Sequence, residues 1–353
     1  MSGSFIDSEI DSIVEKFSDE PVIKVLKLLD WSRINKLSNK AKLTNVGKHR
    51  IPYSPVLMTK IFLLQSMYGY SDVAMEKQLH FNLLFMKFCG LSTTDRKPDH
   101  STISKWRDRY IKENIHDKLF NEINRQFEEL GLIMKNGSVI DATIISSQAR
   151  PRRKQLVINE DPEENVDLDQ NHDNEDTEKE IETKEQQIVF EESKDPDARY
   201  LVKGKKIHYG YKMTTAVDPQ NGLIQAVMTT AANIPDCKLL EGILKKVDLE
   251  KDSFVFADKG YASASNRDLL KGLNLKDGIM FKGSRNRPLS ELQKLGNKRI
   301  STVRYKVEQP YGLIKKRNGG RAQLIGMSKV SFANTMNCII HNVVRSLKFV
   351  CFA

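Results

Sequence analysis

The first third of the chain carries the apolar spacing of α-helices. Residues 56–68 are apolar nearly all round, and residues 71–89 begin with Ser-Asp, a pair that often caps a helix. Asp99 or Ser101 gives a second cap signal before a long run of polar, basic and apolar residues. These patterns predict buried helices followed by an amphipathic one. We therefore predict a helical N-terminal domain over residues 1–130.

A short helix, a turn and a basic helix in this region also suggest a helix-turn-helix. On that interpretation Lys105 and Arg107 face a DNA groove. The apolar residues of the same helix pack inward: Ile103, Trp106 and Tyr110. Most capped amphipathic helices bind no DNA, so an ordinary core helix stays open as the alternative.

Beyond this region the apolar period changes from that of helices to that of strands. Strand-like runs cover residues 138–145, 206–218 and 223–230, and a Pro-Gln-Asn-Gly turn joins the last two. A capped helix, an apolar strand at 253–257, a helix, a strand at 278–282 and further helices follow. The order βββαβαβα is that of an RNase H-like fold, in which a mixed sheet is flanked by helices.

An acidic segment interrupts this second domain. Between residues 159 and 198 there are 17 Asp and Glu against 3 Lys, and almost no aromatic residues. Such a composition cannot bury enough apolar surface to offset the entropy cost of ordering. We predict a disordered insert over 151–198, which splits the RNase H-like catalytic domain into 131–150 and 199–350. The alternative is a tract that mimics DNA and occupies the basic surface.

The charge balance of the remaining chain points to nucleic acid. The formal net charge is +10 and the acidic segment contributes −14, so the rest of the chain carries +24. A body with this excess attracts polyanions through counterion release, although ribosomal or merely very soluble proteins look similar.

The composition also indicates in which cellular compartment the protein is expected. No apolar stretch approaches the roughly 18 residues that cross a bilayer, and the first residues lack the pattern of a secretory signal. The four cysteines include no C-x-x-C pair, which argues against a disulfide framework or a zinc cluster. We expect a cytoplasmic protein with reduced thiols and no membrane partner.

Three acidic residues occupy informative positions. Asp141 lies within an apolar strand, where an unpaired carboxylate is costly, and Asp258 ends another strand, where open α/β sheets bind ligands. Helical spacing puts Glu308 on one face with Arg304 and Lys315. Each acid also has an ordinary structural explanation. Asp141 could lie at a sheet edge or in a turn, Asp258 could cap a helix or lie in a turn, and Glu308 could form solvent-exposed ion pairs. Two acids on neighbouring central strands, however, would need a cation between them.

The chain resembles the DDE transposases of bacterial insertion sequences, in the branch called IS-five. Five strings carry the resemblance: GSVIDATII, KKIHYGYKMTTAVDPQNGLI, TTAANIPD, FADKGYAS and VRYKVEQPYGLIKK. It extends from about residue 50 to residue 348 and includes a helical block similar to the N-terminal domain of those enzymes. This similarity implies that the helical domain over residues 1–130 binds DNA ends. It implies an enzyme that cleaves DNA at element ends and joins the freed end to target DNA.

The resemblance also implies roles for individual residues. Asp141, Asp258 and Glu308 match the three catalytic residues, which are the metal ligands. Arg304 and Lys315 match the basic residues that flank the family's glutamate, which are expected to hold phosphates. Three further basic residues are predicted to contact DNA apart from the resemblance: Lys259, Lys105 and Arg107. The family pattern has a tyrosine where this chain has Ser301, whose role stays open.

Three carboxylates around a polyanionic substrate suit two Mg²⁺ ions, with Mn²⁺ as a substitute. Two ions about 3.5–4 Å apart would activate a water or a 3′-hydroxyl and stabilise the leaving oxygen. Each protomer would bind one terminal inverted repeat, so the resemblance implies at least a homodimer, associated with the nucleoid in the bacterial cytoplasm. Two alternatives stay open: an RNase H-like metal-dependent nuclease that cuts without joining, and a transposase-derived DNA-binding regulator.

Overall fold

The computed structural model describes residues 15–41, 53–151, 153–156, 187–190, 193–284, 287–318 and 320–350. The N-terminal helical part consists of α1 (Pro21–Leu28), α2 (Trp31–Ser38), α3 (Pro55–Tyr68), α4 (Asp72–Phe81), α5 (Leu83–Cys89), α6 (His100–Lys112) and α7 (Ile115–Glu129). Within these described ranges, no helix is both long and apolar enough to cross a bilayer.

Two of the predicted helices are each divided in the structure. Residues 71–89 form α4 and α5, because Asn82 leaves the helical conformation and its side chain caps α5. The long run after Asp99 divides at Asn114, whose φ of 49° is left-handed, a conformation that asparagine tolerates. Asp99 itself caps α6 by accepting a 2.6 Å hydrogen bond from the backbone N–H of Thr102.

Strands and helices alternate in the rest of the chain. They are β1 (Gly137–Ser146), β2 (Arg153–Leu156), β3 (Gln187–Phe190), β4 (Arg199–Lys203), β5 (Lys206–Val217), β6 (Ile224–Ala231), α8 (Leu240–Leu244), β7 (Phe254–Ala257), α9 (Ala264–Gly272), β8 (Lys276–Ile279), α10 (Glu291–Arg304), α11 (Glu308–Asn318) and α12 (Met327–Ser346).

A mixed sheet organises these elements. β5 pairs antiparallel with β1, β4 and β6, whereas β1–β7 and β7–β8 are parallel pairs, so β1 is a central strand. The predicted mixed sheet with helices is confirmed, and it fits an RNase H-like fold preceded by a helical region. The strand pattern is less simple than βββαβαβα, because β2, β3 and β4 lie between the first two predicted strands.

The predicted insert differs from the structure at both ends. β2 and β3 pair as an antiparallel ribbon. Asp195 is fully buried and accepts hydrogen bonds from Ser147 Oγ at 2.6 Å and from the Tyr211 hydroxyl. Disorder across all of 151–198 is therefore wrong, since its ends supply paired strands and a buried polar cluster. The acidic middle, residues 157–186, lies outside the described residues.

We expect residues 157–186 to be dispensable for folding and cleavage. Leu156 and Gln187 are cross-strand partners, so an Asn-Gly pair can join them as a tight turn. The segment has 13 Asp and Glu against 2 Lys, a net charge of −11. Its replacement should tighten binding to unrelated duplex DNA, measured by fluorescence anisotropy. Tm should change by less than about 4 °C, the effect of about 1 kcal/mol in a chain of this size.

A second variant separates charge from length in this experiment. It keeps residues 157–186 at full length but carries Asn or Gln in place of every acidic residue. If only the shortened chain bound DNA more tightly, length rather than charge would be responsible. A fall in Tm of more than about 10 °C in the shortened chain would show that the segment contributes several kcal/mol to the fold.

The N-terminal helical part and the sheet share one hydrophobic core. Buried Ile61 of α3, Val139 of β1 and Val343 of α12 belong to the same cluster. A second cluster lies on the other side of the sheet and includes Ile140. The change from helices to strands between α7 and β1 is therefore not accompanied by a separation of cores.

Helix α12 forms much of the connection between the two parts. Its Phe332 ring packs edge-on against Phe62 of α3, with ring centroids 5.2 Å apart. The buried Asn342 amide donates to Asn124 of α7 at 2.8 Å and to the carbonyl oxygen of Ile224 in β6 at 2.7 Å. One side chain of α12 thus joins a helix of the first part to a strand of the second.

Candidate active site

The first two predicted acids come together on the parallel pair β1 and β7. Ile140 pairs with Ala257, so Asp141 is the next residue of β1 and Asp258 directly follows the end of β7. Neighbouring strands lie about 4.8 Å apart, which makes the two aspartates neighbours across the sheet. Lys259 is exposed directly after Asp258, and its backbone N–H donates to that carboxylate at 2.7 Å.

Asp141 occupies an electrostatically demanding position. Burial raises the pKa of its carboxyl above the usual value. The backbone N–H of Ala142, at 2.8 Å, and the Arg304 guanidinium act in the opposite direction, whereas the negative charges of Asp258 and Asp236 raise this pKa further. Acidic side chains thus crowd around Asp141, and a cation would relieve their repulsion.

Arg304 links the first and third predicted acids. Its Nη1 lies 3.0 Å from Oδ2 of Asp141, and its Nη2 lies 3.7 Å from Oε1 of Glu308. The Asp141 side chain is 20% exposed and that of Glu308 65% exposed. Two carboxylates from distant parts of the chain therefore converge on one positive charge. This geometry assigns Arg304 to carboxylates in the free protein, where the resemblance implies a phosphate.

Arg304 and Glu308 do not share one continuous α-helix. Arg304 ends α10, residues 305–307 form a 3₁₀ turn, and Glu308 begins α11. Pro310 therefore lies in the first turn of α11, where a proline leaves no hydrogen bond unmade. Lys315 lies two turns further along α11, and partial burial together with nearby Lys203 lowers the pKa of its ammonium group.

The donor set of the site suits a hard divalent cation. Asp141, Asp258 and Glu308 offer only carboxylate oxygens, which hard cations prefer. Two of these carboxylates, those of Asp141 and Glu308, already contact the positive charge of Arg304. Across the described residues, no three Asp, Glu, His or Cys side chains are grouped closely enough to bind a metal ion. The three acids are named the acid site below. Asp141 and Asp258 are neighbours across the sheet, and Arg304 links Glu308 to Asp141.

The contact between Tyr311 and the backbone of Asp141 was missed by sequence reasoning. The buried Tyr311 hydroxyl donates to the carbonyl oxygen of Asp141 at 2.5 Å and accepts from Thr215 Oγ1 at 2.8 Å. This tyrosine ties α11, which begins at Glu308, to the strand that carries Asp141. Its position one turn after Glu308 in the string VEQPYG was the available signal.

An ion pair between a buried lysine and an acid near Asp258 was also missed. Lys212 is 6% exposed and donates to Oδ1 of Asp236 and to the carbonyl oxygen of Ile234, both at 2.6 Å. Asp236 lies against the loop after Asp258, since a Cβ at Gly260 would be 3.2 Å from its Oδ2. A lysine inside an apolar strand was the sequence signal for such a pair.

The two basic residues predicted on α6 have different environments. Lys105 is exposed, whereas Arg107 is 6% exposed and donates from Nη1 to Oδ2 of Asp72 at 2.9 Å. A carboxylate within the N-terminal helical part thus neutralises the buried guanidinium of Arg107, and its contact with DNA stays a prediction. The predicted inward packing on α6 is confirmed for three residues: Ile103, Trp106 and Tyr110.

Comparison with known proteins identifies the family. Residues 134–343 match the family described as "Transposase DDE domain", and residues 9–109 match "Transposase domain (DUF772)". The transposase for insertion sequence element IS1106 of Neisseria meningitidis serogroup B is 34% identical over 247 residues, covering 69% of this chain and 76% of that protein. The chain belongs to the DDE transposases of bacterial insertion sequences.

The predicted family and the predicted activity, DNA transposition, are thereby confirmed. DDE transposases generally depend on divalent metal ions, and the carboxylates of the acid site fit that requirement. Among solved structures, the synaptic complex of piggyBac transposase with hairpin DNA is similar, with a TM-score of 0.39 and 11% identity over 92% of this chain and 75% of that chain. Assignment to the IS-five branch stays a prediction.

Proposed function

We propose that this DDE transposase binds the terminal inverted repeats of its insertion sequence, cleaves DNA there and joins the freed 3′ end to target DNA. One site, built on Asp141, Asp258 and Glu308, serves both reactions. The observation that carries the proposal is the convergence of Asp141 and Glu308 on Arg304, with Asp258 on the neighbouring strand.

The acid site is proposed to hold two divalent ions, Mg²⁺ by preference and Mn²⁺ as a substitute. When bound, they supply activation of an attacking hydroxyl and stabilisation of the leaving oxygen. Tyr311 holds the backbone of Asp141 against α11, which keeps Glu308 in place. Lys212 and Asp236 hold the loop that follows Asp258.

Basic residues around the acids are proposed to hold the DNA. A guanidinium binds two phosphate oxygens well, so Arg304 would be available to hold a phosphate if metal ions took its place beside Asp141 and Glu308. Lys259, exposed next to Asp258, and Lys315, on the same helix as Glu308, add positive charge. On the N-terminal helical part, Lys105 is free to reach the duplex.

A strand-transfer assay tests this function. The substrate is a duplex carrying the inverted repeats that flank the coding region, incubated with Mg²⁺ and a target plasmid. We expect DNA nicked at the element end and, later, DNA joined to the plasmid. Cleavage without joining would favour a nuclease, and binding without either product would favour a regulator.

Joining two ends to one target also requires two ends in one complex. We propose a homodimer in which each protomer holds one end. Light scattering of the purified protein–DNA complex should give two protomers with two duplexes. A single protomer carrying both ends would contradict the dimer.

Binding to unrelated duplex DNA should depend steeply on salt. Outside residues 159–198 the chain carries a charge of +24, and each phosphate neutralised adds about 0.9 to the slope of log affinity against log salt. Four or more contacts would lower affinity by about 100-fold or more between about 50 and 200 mM NaCl. Fluorescence anisotropy measures this, and a flat response would remove nucleic acid as the explanation of the charge.

A further inference from the structure

A cleft of about 850 Å³ lies where the N-terminal helical part meets the catalytic sheet. Its lining includes Phe62 of α3, Ser101 of α6, Ile145 of β1 and Phe332 of α12. None of the three acids lines it. The cleft is therefore distinct from the acid site, and the proposed chemistry gives it no role.

The lining of the cleft is positively charged. Four cationic side chains and one carboxylate line it: Lys105, Arg107, Arg317, Arg321 and Asp72. Since Asp72 is paired with Arg107, the other three cations are uncompensated within the lining. Helices α4 and α6 both begin at the cleft, and their N-terminal ends add partial positive charge. The cleft thus favours an anion.

Arg317 shows that an acceptor is missing. Its Nη1 is buried and has no hydrogen-bond partner among the described residues. A buried donor without an acceptor costs about 1–3 kcal/mol, so an anion bound in the cleft would be stabilised by this group. Burial also lowers the pKa of the Arg317 guanidinium below its usual value.

β1 and α11 each extend from the acid site to the cleft, so their lengths give the distance between the two. On β1, Ile145 lies four residues beyond Asp141, about 13 Å along a strand. On α11, Arg317 lies nine residues beyond Glu308, about 13–14 Å along a helix. One DNA strand advances about 3.4 Å per nucleotide, so this separation corresponds to about four nucleotides.

We propose that the cleft binds the sugar-phosphate backbone of the end DNA about four nucleotides from the phosphodiester that is cut. Arg317 and Lys105, which both line the cleft, contact phosphate oxygens. The assignment rests on the proposed function, because it requires the element end to pass through the acid site.

Neutralising single phosphates tests this assignment. A series of inverted-repeat duplexes carries one methylphosphonate at successive positions from the cut phosphodiester. With the wild-type protein, the substitution at about four nucleotides should lower affinity about 10-fold, the value of one charge-assisted hydrogen bond. Arg317→Gln should bind unmodified DNA about 10-fold more weakly, and the same methylphosphonate should then cause no further loss. Losses at other positions should persist in the variant.

Matched variants isolate the contact. Arg317→Lys keeps the charge and should recover part of the affinity. Arg125→Gln removes an arginine on α7 whose side chain is 57% exposed and does not line the cleft, so it should keep the wild-type profile. Lys105→Gln repeats the test from the other wall, and it carries the decision if Arg317→Gln fails to melt cooperatively.

The outcomes separate the two proposals. If the wild-type protein cuts the duplex but no methylphosphonate near four nucleotides weakens binding, the cleft assignment fails and the proposed function stands. An unchanged profile in the decisive variant, or an equal loss at every position, also overturns the cleft assignment. If the wild-type protein neither binds nor cuts the inverted-repeat duplex, both proposals fail.

Discussion

Asp141→Asn, Asp258→Asn and Glu308→Gln are each expected to lower DNA strand cleavage by at least about 100-fold, the usual effect of removing one group that stabilises charge in a reaction. Each change removes a negative charge with little change in volume. Affinity for the element end should persist, because the charges that bind phosphates are untouched. Cleavage with Mg²⁺, and binding with EDTA, measure the two effects separately.

A control variant and a comparison make this experiment sharper. Asp268→Asn removes an exposed carboxylate on α9 and should cut like the wild type. Asp236→Asn removes an acid that is paired with Lys212. A loss of cleavage in this variant would mean that the loop after Asp258 has moved. Any acid-site variant that keeps more than about a tenth of wild-type cleavage would lose its assigned role.

Asp195→Ala is expected to lower the free energy of unfolding by at least about 3 kcal/mol. The fully buried carboxylate accepts from Ser147 Oγ, from the Tyr211 hydroxyl and, at 3.2 Å, from the backbone N–H of Gly326. Removing the carboxylate leaves these donors without an acceptor, at about 1–3 kcal/mol for each. Urea unfolding followed by circular dichroism measures the loss.

The contacts of Asp195 give this prediction its own control. Asp268→Ala changes an exposed aspartate and should stay within about 0.5 kcal/mol of the wild type. Adding Tyr211→Phe to Asp195→Ala should cost less than the sum of the single changes, because one unpaired donor has been removed. Additive losses would mean that the two side chains act independently.

The sequence indicated Asp141 and Asp258 because each breaks a strong local pattern. A carboxylate inside an apolar strand needs a partner, and that requirement is visible without knowing the partner. Arg107 shows the limit of the same reasoning. Helical spacing gives the face on which a residue lies, but it does not distinguish a solvent-exposed arginine from one that Asp72 neutralises.

Asp195 illustrates a second limit, that of composition. A window rich in acids predicts disorder on average, yet the partners of this one aspartate lie 48 and 16 residues away, at Ser147 and Tyr211. Likewise, the contact of Tyr311 with the backbone of Asp141 spans 170 residues. Such pairings follow from the folded topology, so local pattern cannot reveal them.

The position of α12 in the chain has a consequence for protein synthesis. Residues 327–346 are translated after every element that α12 packs against, including α3, α7 and β6. Until they leave the ribosome, the apolar faces of those elements have no cover, so the shared core cannot close. We therefore expect the N-terminal helices and the sheet to complete their shared core together, and a nascent chain released before α12 to lack that core.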